Sequence, residues 1–180
     1  YIGAVADSVN KLRPQNFAVL DIGGGSTELT EGTGFEVKSK RSVDMGSVRI
    51  TERFLKSAPP SSQGISEATS YIRSLVQRWP ALSDTSTLIG VAGTLTTLAS
   101  IDLALPSFDR EKVHKHVLTS KAVSSIFNTL SVKSLEELKQ VPQILPERAD
   151  IILAGVLILL ELMKQLVAGN ITVSDRGLRY

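Results

Sequence analysis

Three consecutive glycines, Gly23-Gly24-Gly25, stand between a short apolar run, Phe17 to Ile22, and a polar run that begins Ser26-Thr27-Glu28. This junction restricts the chain more than any other feature. Phe17 to Ile22, bounded by Pro14 and the glycines, suits a strand buried on both faces. Ser26 to Glu31 and Phe35 to Val43 flank the turn Glu31-Gly32-Thr33-Gly34. The spacing therefore predicts an antiparallel meander of three strands. Without Cβ atoms the glycine turn can bend sharply and bring its amides, with the Ser26 and Thr27 hydroxyls, against phosphate oxygens. Asp21 and Glu28 bracket the turn and could hold a divalent cation that neutralises the same phosphates. A tight hairpin that needs glycine only for its geometry is the alternative, and the flanking acidic and hydroxyl residues weigh against it.

Further along, Gly46 to Lys56 has helical spacing and is stopped by Ala58-Pro59-Pro60-Ser61-Ser62. Ser66 is the expected cap of a second helix that carries Ala68, Ile72, Leu75, Val76 and Trp79 on one face. Thr87 to Ala92 reads as a buried strand, followed by a helix from Gly93 to Leu105. The turn between them, Gly90-Val91-Ala92-Gly93-Thr94, either directs a helix N-terminus at an anion or supplies the small residues that close packing of strand against helix demands, and the spacing alone fits both. His114 to Leu118 suits a short strand, and Ser120 to Leu130 and Ser134 to Gln140 suit helices. Pro146 is placed to open a long helix running to about Val167, and Ile171 to Val173 is a last strand. A meander followed by alternating helices and strands predicts an α/β mixed sheet with helices on both faces.

Composition narrows the function classes. The chain has 180 residues, 42% of them hydrophobic, which fits one domain or one lobe of a larger enzyme. A net charge of +2 gives no global field for nucleic acid or an anionic membrane, so an anion must be met by a local site. Cysteine is absent, which makes a reducing cytoplasm the simplest expectation. Ile151 to Leu160 is about half the ~20 residues that a bilayer requires and is expected to be a buried helix. The start, Tyr1 onward, reads as cut from a longer protein.

Several segments together resemble one family. Asp21 to Leu29, Met45-Gly46-Ser47-Val48-Arg49, Gly90 to Thr94, Pro146 to Ile152 and Ser174-Asp175-Arg176-Gly177-Leu178-Arg179 are similar, in order, to the motifs of the exopolyphosphatase and guanosine pentaphosphate phosphohydrolase family. The resemblance implies an actin-like (ribonuclease H-like) ATPase-type fold of two lobes, with this chain as the second lobe. Residues 1 to 14 would be a trailing segment of the missing N-terminal lobe. It implies Mg2+ at Asp21 and Glu28, and phosphate contacts from Gly23, Gly24, Gly25, Ser26, Thr27, Gly93, Thr94 and Arg49. The substrate would be inorganic polyphosphate or guanosine pentaphosphate. It also implies that the general base lies before Tyr1, so that this chain alone would bind phosphates weakly and turn over little.

Other residues have blander expectations. Lys38, Lys40 and Arg41 could extend a basic track for a polyanion, or form the wet face of a strand. Lys112, His114, Lys115 and His116 are expected at a solvated edge, with too few ligands for zinc. Arg148 and Asp150 are read as structural. The competing functions are a non-catalytic polyphosphate or nucleotide binder, a lobe with purely geometric glycine turns, and an actin-like sugar or acetate kinase. A homodimer through the exposed lobe face is also conceivable.

Overall fold

The structure, a computed structural model, describes residues 1–6, 8–9 and 15–176. Much of the expected trailing segment 1–14, and Gly177, Leu178 and Arg179 of the last motif, lie outside the described residues. After a single helical turn, α1 (Ile2–Val5), the meander β1 (Asn16–Ile22), β2 (Thr27–Thr33) and β3 (Glu36–Val43) forms as expected. Its second turn is tighter than predicted. β2 runs through Gly32 and Thr33, and only Gly34, at φ +56°, and Phe35 make the reversal.

Next come α2 (Ser47–Phe54), α3 (Ser62–Val76), β4 (Ser86–Val91) and α4 (Ala92–Asp102). They are followed by α5 (Arg110–Val113), β5 (Val117–Thr119), α6 (Ser120–Leu130), α7 (Leu135–Lys139), α8 (Ile152–Gln165) and β6 (Asn170–Val173). The six strands lie in the order β3-β2-β1-β4-β6-β5. β1, β4 and β6 are parallel, and the two edges are antiparallel. The sheet is mixed, as the order of elements predicted.

Alternation along β1 divides the core. Ala18, Leu20 and Ile22 face the large cluster built with α2, α3, α4, α6 and α8, whereas Phe17 and Val19 meet Ala4 and Val5 of α1 on the other face. Helices thus cover both faces very unequally. α8 is the axis of the thick side: Ile152 through Met163 are all buried, and α2, α3 and α6 pack around it. No helix among the described residues is long and apolar enough to cross a membrane.

Three expectations are corrected. The cap of α3 is Ser61, not Ser66, with Ser61 Oγ accepting from Gly64 N at 3.0 Å. The polar stretch read as loop therefore supplies the first turn. Pro146 opens only a 3₁₀ turn, Pro146–Arg148, and α8 starts later, at Ile152. This break frees Arg148 from the helix. His114 follows α5, a turn the spacing did not reveal, and β5 starts only at Val117.

One ionic group is sunk in the apolar axis. Glu161 is 3% exposed and joins α8 to α3 through Arg73 Nε at 2.5 Å, with Lys164 Nζ at 2.6 Å on its other oxygen. Burial pushes its carboxyl up, but hydrogen bonds from Arg73 and Lys164 outweigh burial and hold it below the usual range. A lowered carboxyl stabilises the fold above its unfolded value, and that stability is lost as pH falls through the folded one. Glu161→Gln is expected to cost about 1–3 kcal/mol in denaturant unfolding at neutral pH, and the difference from the parent should shrink below about pH 4.

Candidate functional site

The parallel register puts Asp21 beside Val91 and Gly90 beside Val173, so the C-terminal ends of β1, β4 and β6 share one edge of the sheet. Ligands of open α/β sheets collect at such an edge. Three connections emerge there: the glycine loop after β1, the Ala92-Gly93 turn after β4, and Ser174-Asp175-Arg176 after β6. The segments singled out by the sequence thereby converge.

α2 gives the glycine loop its orientation. The carbonyl of Gly23 accepts from Ser47 N at 2.9 Å, and that of Gly24 accepts from Val48 N at 3.0 Å and Arg49 N at 3.4 Å. The loop thus satisfies the first-turn amides of α2, which has no side-chain cap. In a trans peptide the carbonyl and the following N–H point in opposite directions. The amides of Gly24 and Gly25 are consequently turned away from α2. Among the described residues, neither they nor Ser26 N donates to a backbone carbonyl, whereas Gly23 N closes the loop on Ser26 O at 3.0 Å.

This docking requires Gly46. A Cβ there would lie 2.3 Å from the carbonyl carbon and oxygen of Gly24. Thr27 completes the lock: fully buried, its Oγ1 donates to Met45 O at 2.5 Å. Its hydroxyl is therefore an anchor of the loop, a departure from the expectation that it faces phosphate. Ser26 does line the open cleft. Arg49 is exposed on α2 with its Nε 3.8 Å from where a Cβ on Gly25 would sit, so it flanks the loop.

The loop separates two spaces. On the α1 side, a cleft of about 720 Å³ is lined by Asp21, Gly23, Ser26, Glu28, Thr30, Lys40, Val91 and Arg176, with Tyr1 to Ala4 opposite. Asp21 and Glu28 are direct cross-strand partners, so both carboxylates face this cleft. Ser42 Oγ donates to Glu28 Oε1 at 3.3 Å. Burial first, and then the charge of Glu28, push the Asp21 carboxyl above its usual value.

Hard carboxylate oxygens set in this way fit Mg2+, which uses one or two carboxylates and takes its other ligands from phosphate and water. Among the described residues no third acidic or imidazole group joins them.

On the thick side lies a smaller cavity, about 280 Å³, whose polar and glycine lining is Gly23, Gly24, Ser47, Gly93, Thr94, Glu147 and Arg148, with Ala92 beside them. Arg148, expected to be structural, instead brings its guanidinium over the turn: a Cβ on Gly93 would lie 1.2 Å from Arg148 Nη1. Among the described residues no carboxylate pairs with it. The N-terminus of α4 is aimed at the same place, and Ala92 at its start holds φ +73°, a conformation rarely kept by a residue with a Cβ. Thr94 is buried against Gly155 of α8, so it reaches the cavity mainly as part of the helix start.

The sequence does not reveal this place for Arg148, because a proline at the start of an apolar run predicts one continuous helix where the chain forms a 3₁₀ turn and then α8. The available signal is its place in Pro146 to Ile152, one of the segments that resemble the family together with the glycine turns.

Gly46→Ala pushes backbone against backbone and is expected to cost about 1–3 kcal/mol while weakening phosphate binding. Gly93→Ala meets only the end of a flexible side chain, so it should leave the unfolding midpoint near the parent's and still weaken phosphate binding by displacing Arg148. Calorimetry and phosphate titration of both variants check this contrast. A raised Asp21 carboxyl means the native state binds protons more readily than the unfolded one, so its stability contribution declines as pH rises from about 4 through the folded value. Asp21→Asn should then raise the thermal midpoint at neutral pH, in the absence of divalent cation.

Comparison with known proteins identifies the family. The model of the Ppx/GppA phosphatase family matches residues 1–180. Exopolyphosphatase 2 of Mycobacterium tuberculosis is 33% identical over 153 residues, covering 83% of this chain and 48% of that protein. A guanosine-5'-triphosphate,3'-diphosphate pyrophosphatase of Vibrio campbellii is 30% identical over 166 residues, covering 89% of this chain and 32% of that one. The crystal structure of the type II variant of the Aquifex aeolicus Ppx/GppA phosphatase superposes with a TM-score of 0.90 at 33% identity, over 98% of this chain and 58% of its own. The chain thus spans half or less of the length of these two curated relatives. Its six-stranded mixed sheet with helices has the actin-like ATPase fold of these neighbours, and the chain belongs to the Ppx/GppA phosphatase family.

Proposed function

We propose that this chain is the phosphate-holding half of a phosphohydrolase that removes the terminal phosphate from inorganic polyphosphate or guanosine pentaphosphate. The observation that carries the reading is the glycine loop with its amides turned outward, carboxylates on one side and the Arg148 guanidinium on the other. Gly24, Gly25 and Ser26 amides would take phosphate oxygens, with Arg148, the start of α4 at Gly93 and Thr94, and the flanking Arg49 supplying positive charge. Preorganised donors of this kind stabilise the charge that builds on a phosphoryl group during transfer. Asp21 and Glu28 would hold Mg2+, which supplies charge neutralisation when bound.

In the reaction a water oxygen attacks the terminal phosphorus and the bridging P–O bond breaks, its electron pair leaving with the shortened substrate. The water proton passes to a base. Glu31 is tied to Arg41 and Ser39, Asp44 is exposed, and neither lines the cleft that holds Asp21. The reading therefore places the base in the lobe preceding Tyr1, and this chain alone would bind phosphate but turn over little. Cytoplasmic location and pairing with that lobe belong to the same proposal.

The test is orthophosphate release by the full-length protein, with polyphosphate and guanosine pentaphosphate offered separately, with and without Mg2+. Release that depends on Mg2+ and falls at least about a hundredfold in Asp21→Ala supports hydrolysis. Mg2+-dependent binding of either anion without release would favour a non-catalytic binder of the same fold, and neither binding nor release would reject both.

A further inference from the structure

The cleft that holds Asp21 and Glu28 does not end at them. Successive cross-strand rows line its floor: Asp21, Glu28 and Ser42 in the first, then Val19, Thr30 and Lys40 in the next. Tyr1 and Val37 close its far end. Rows on one face are two residues apart, about 6.8 Å along the strand. The space is thus a groove that starts at the glycine loop and runs down the hairpin beneath α1.

β3 treats its cations differently on its two faces. Arg41, on the thick side, is neutralised by Glu31, which also accepts from Ser39. Lys40, on the groove side, is exposed and has no hydrogen bond or ion pair among the described residues. It is one row from Glu28, close enough for a diagonal pair, yet Glu28 accepts from Ser42 instead. Lys38 sits at the register shift between Glu31 and Gly32 and does not line the groove. Of the three cations on this strand, one is neutralised, one is outside, and one is unpaired inside the candidate substrate space.

Building on the proposed function, we infer that Lys40 is a specificity-determining contact for the part of the substrate beyond its first phosphates. The substrate tail leaves the glycine loop along the groove, and the Lys40 ammonium meets an anionic oxygen one row below the carboxylate pair. A short condensed phosphate is held by the loop, Arg148 and the cation at Asp21 and Glu28, and does not reach Lys40. A long one does. An ammonium suits this task because a point charge on a flexible stem follows a tail of variable geometry.

Binding to the full-length protein is measured by calorimetry with tripolyphosphate and with long-chain polyphosphate, both with Mg2+, at several salt concentrations. Lys40→Ala is expected to weaken long-chain binding about tenfold, to lower its salt dependence by about one counterion, and to leave tripolyphosphate binding within twofold of the parent. Lys40→Arg should restore most of the loss, and Lys38→Ala should match the parent on both ligands. Equal weakening of both ligands in Lys40→Ala, no weakening of either, or a loss in Lys38→Ala as large as in Lys40→Ala each overturns the inference while leaving the proposed function standing. Failure of the parent protein to bind either anion defeats that function and this inference together.

Discussion

The carbonyl groups of Gly23 and Gly24 are held by the first amides of α2, and the rest of the site follows from that contact. A helix start in this class of fold is often the anion site itself. Here it is spent on the loop. Because each peptide unit fixes its N–H opposite its carbonyl, seating the carbonyls on α2 turns the next amides outward. Gly46 permits the approach by having no side chain, and the buried Thr27 hydroxyl ties the strand behind the loop to Met45, just ahead of α2. The segment Met45 to Arg49 is thus the mould in which the glycine loop is cast.

Much of this was legible in the sequence, for identifiable reasons. β1 follows from a continuous apolar run stopped by glycines, β2 and β3 from the runs that flank the Glu31 to Gly34 turn, and the opposition of Asp21 and Glu28 from a tight hairpin once its register is fixed. The buried α8 was plain because nearly every residue from Ile151 to Leu160 is apolar. Less legible were features decided by long-range contact. Ser61 caps α3 within a Pro-Pro-Ser-Ser stretch whose composition says loop, and nothing local distinguishes it from Ser66. Thr27 looked like a phosphate ligand because Gly-Gly-Gly-Ser-Thr presents two hydroxyls in a row. Strand alternation sends one to the cleft and the other into the core.

Arg148 shows the same limit more sharply. In sequence it is 55 positions from Gly93, and its guanidinium arrives there only because Pro146 to Arg148 forms a separate 3₁₀ turn before α8 begins. Gly93 then reads differently. Its missing Cβ is required by a neighbour's cation, not by the turn's own dihedral angles, since the positive φ falls on Ala92. A strained alanine beside a glycine kept for an arginine indicates that the turn is shaped by what must fit above it.

The loop is also an electrostatic partition. On its thick side the helix start, Arg148 and Glu147 line a small cavity, and on its α1 side Asp21 and Glu28 share a wider groove with Lys40 and Arg176. Under the proposed function a phosphate would be met by amides and the guanidinium on the first side, and by the Asp21 and Glu28 carboxylates only through a cation on the second. A phosphate chain carrying a divalent cation satisfies both at once, since its oxygens can meet the amides and the guanidinium while its metal meets the carboxylates. Neither half alone makes that distinction, because removing the acidic pair would leave a general anion site and removing Arg148 would leave a weak cation site. Under the proposed function the two sides together would favour condensed phosphates that carry a metal, and a cation between the carboxylates would offset the burial and the Glu28 charge that raise the Asp21 carboxyl.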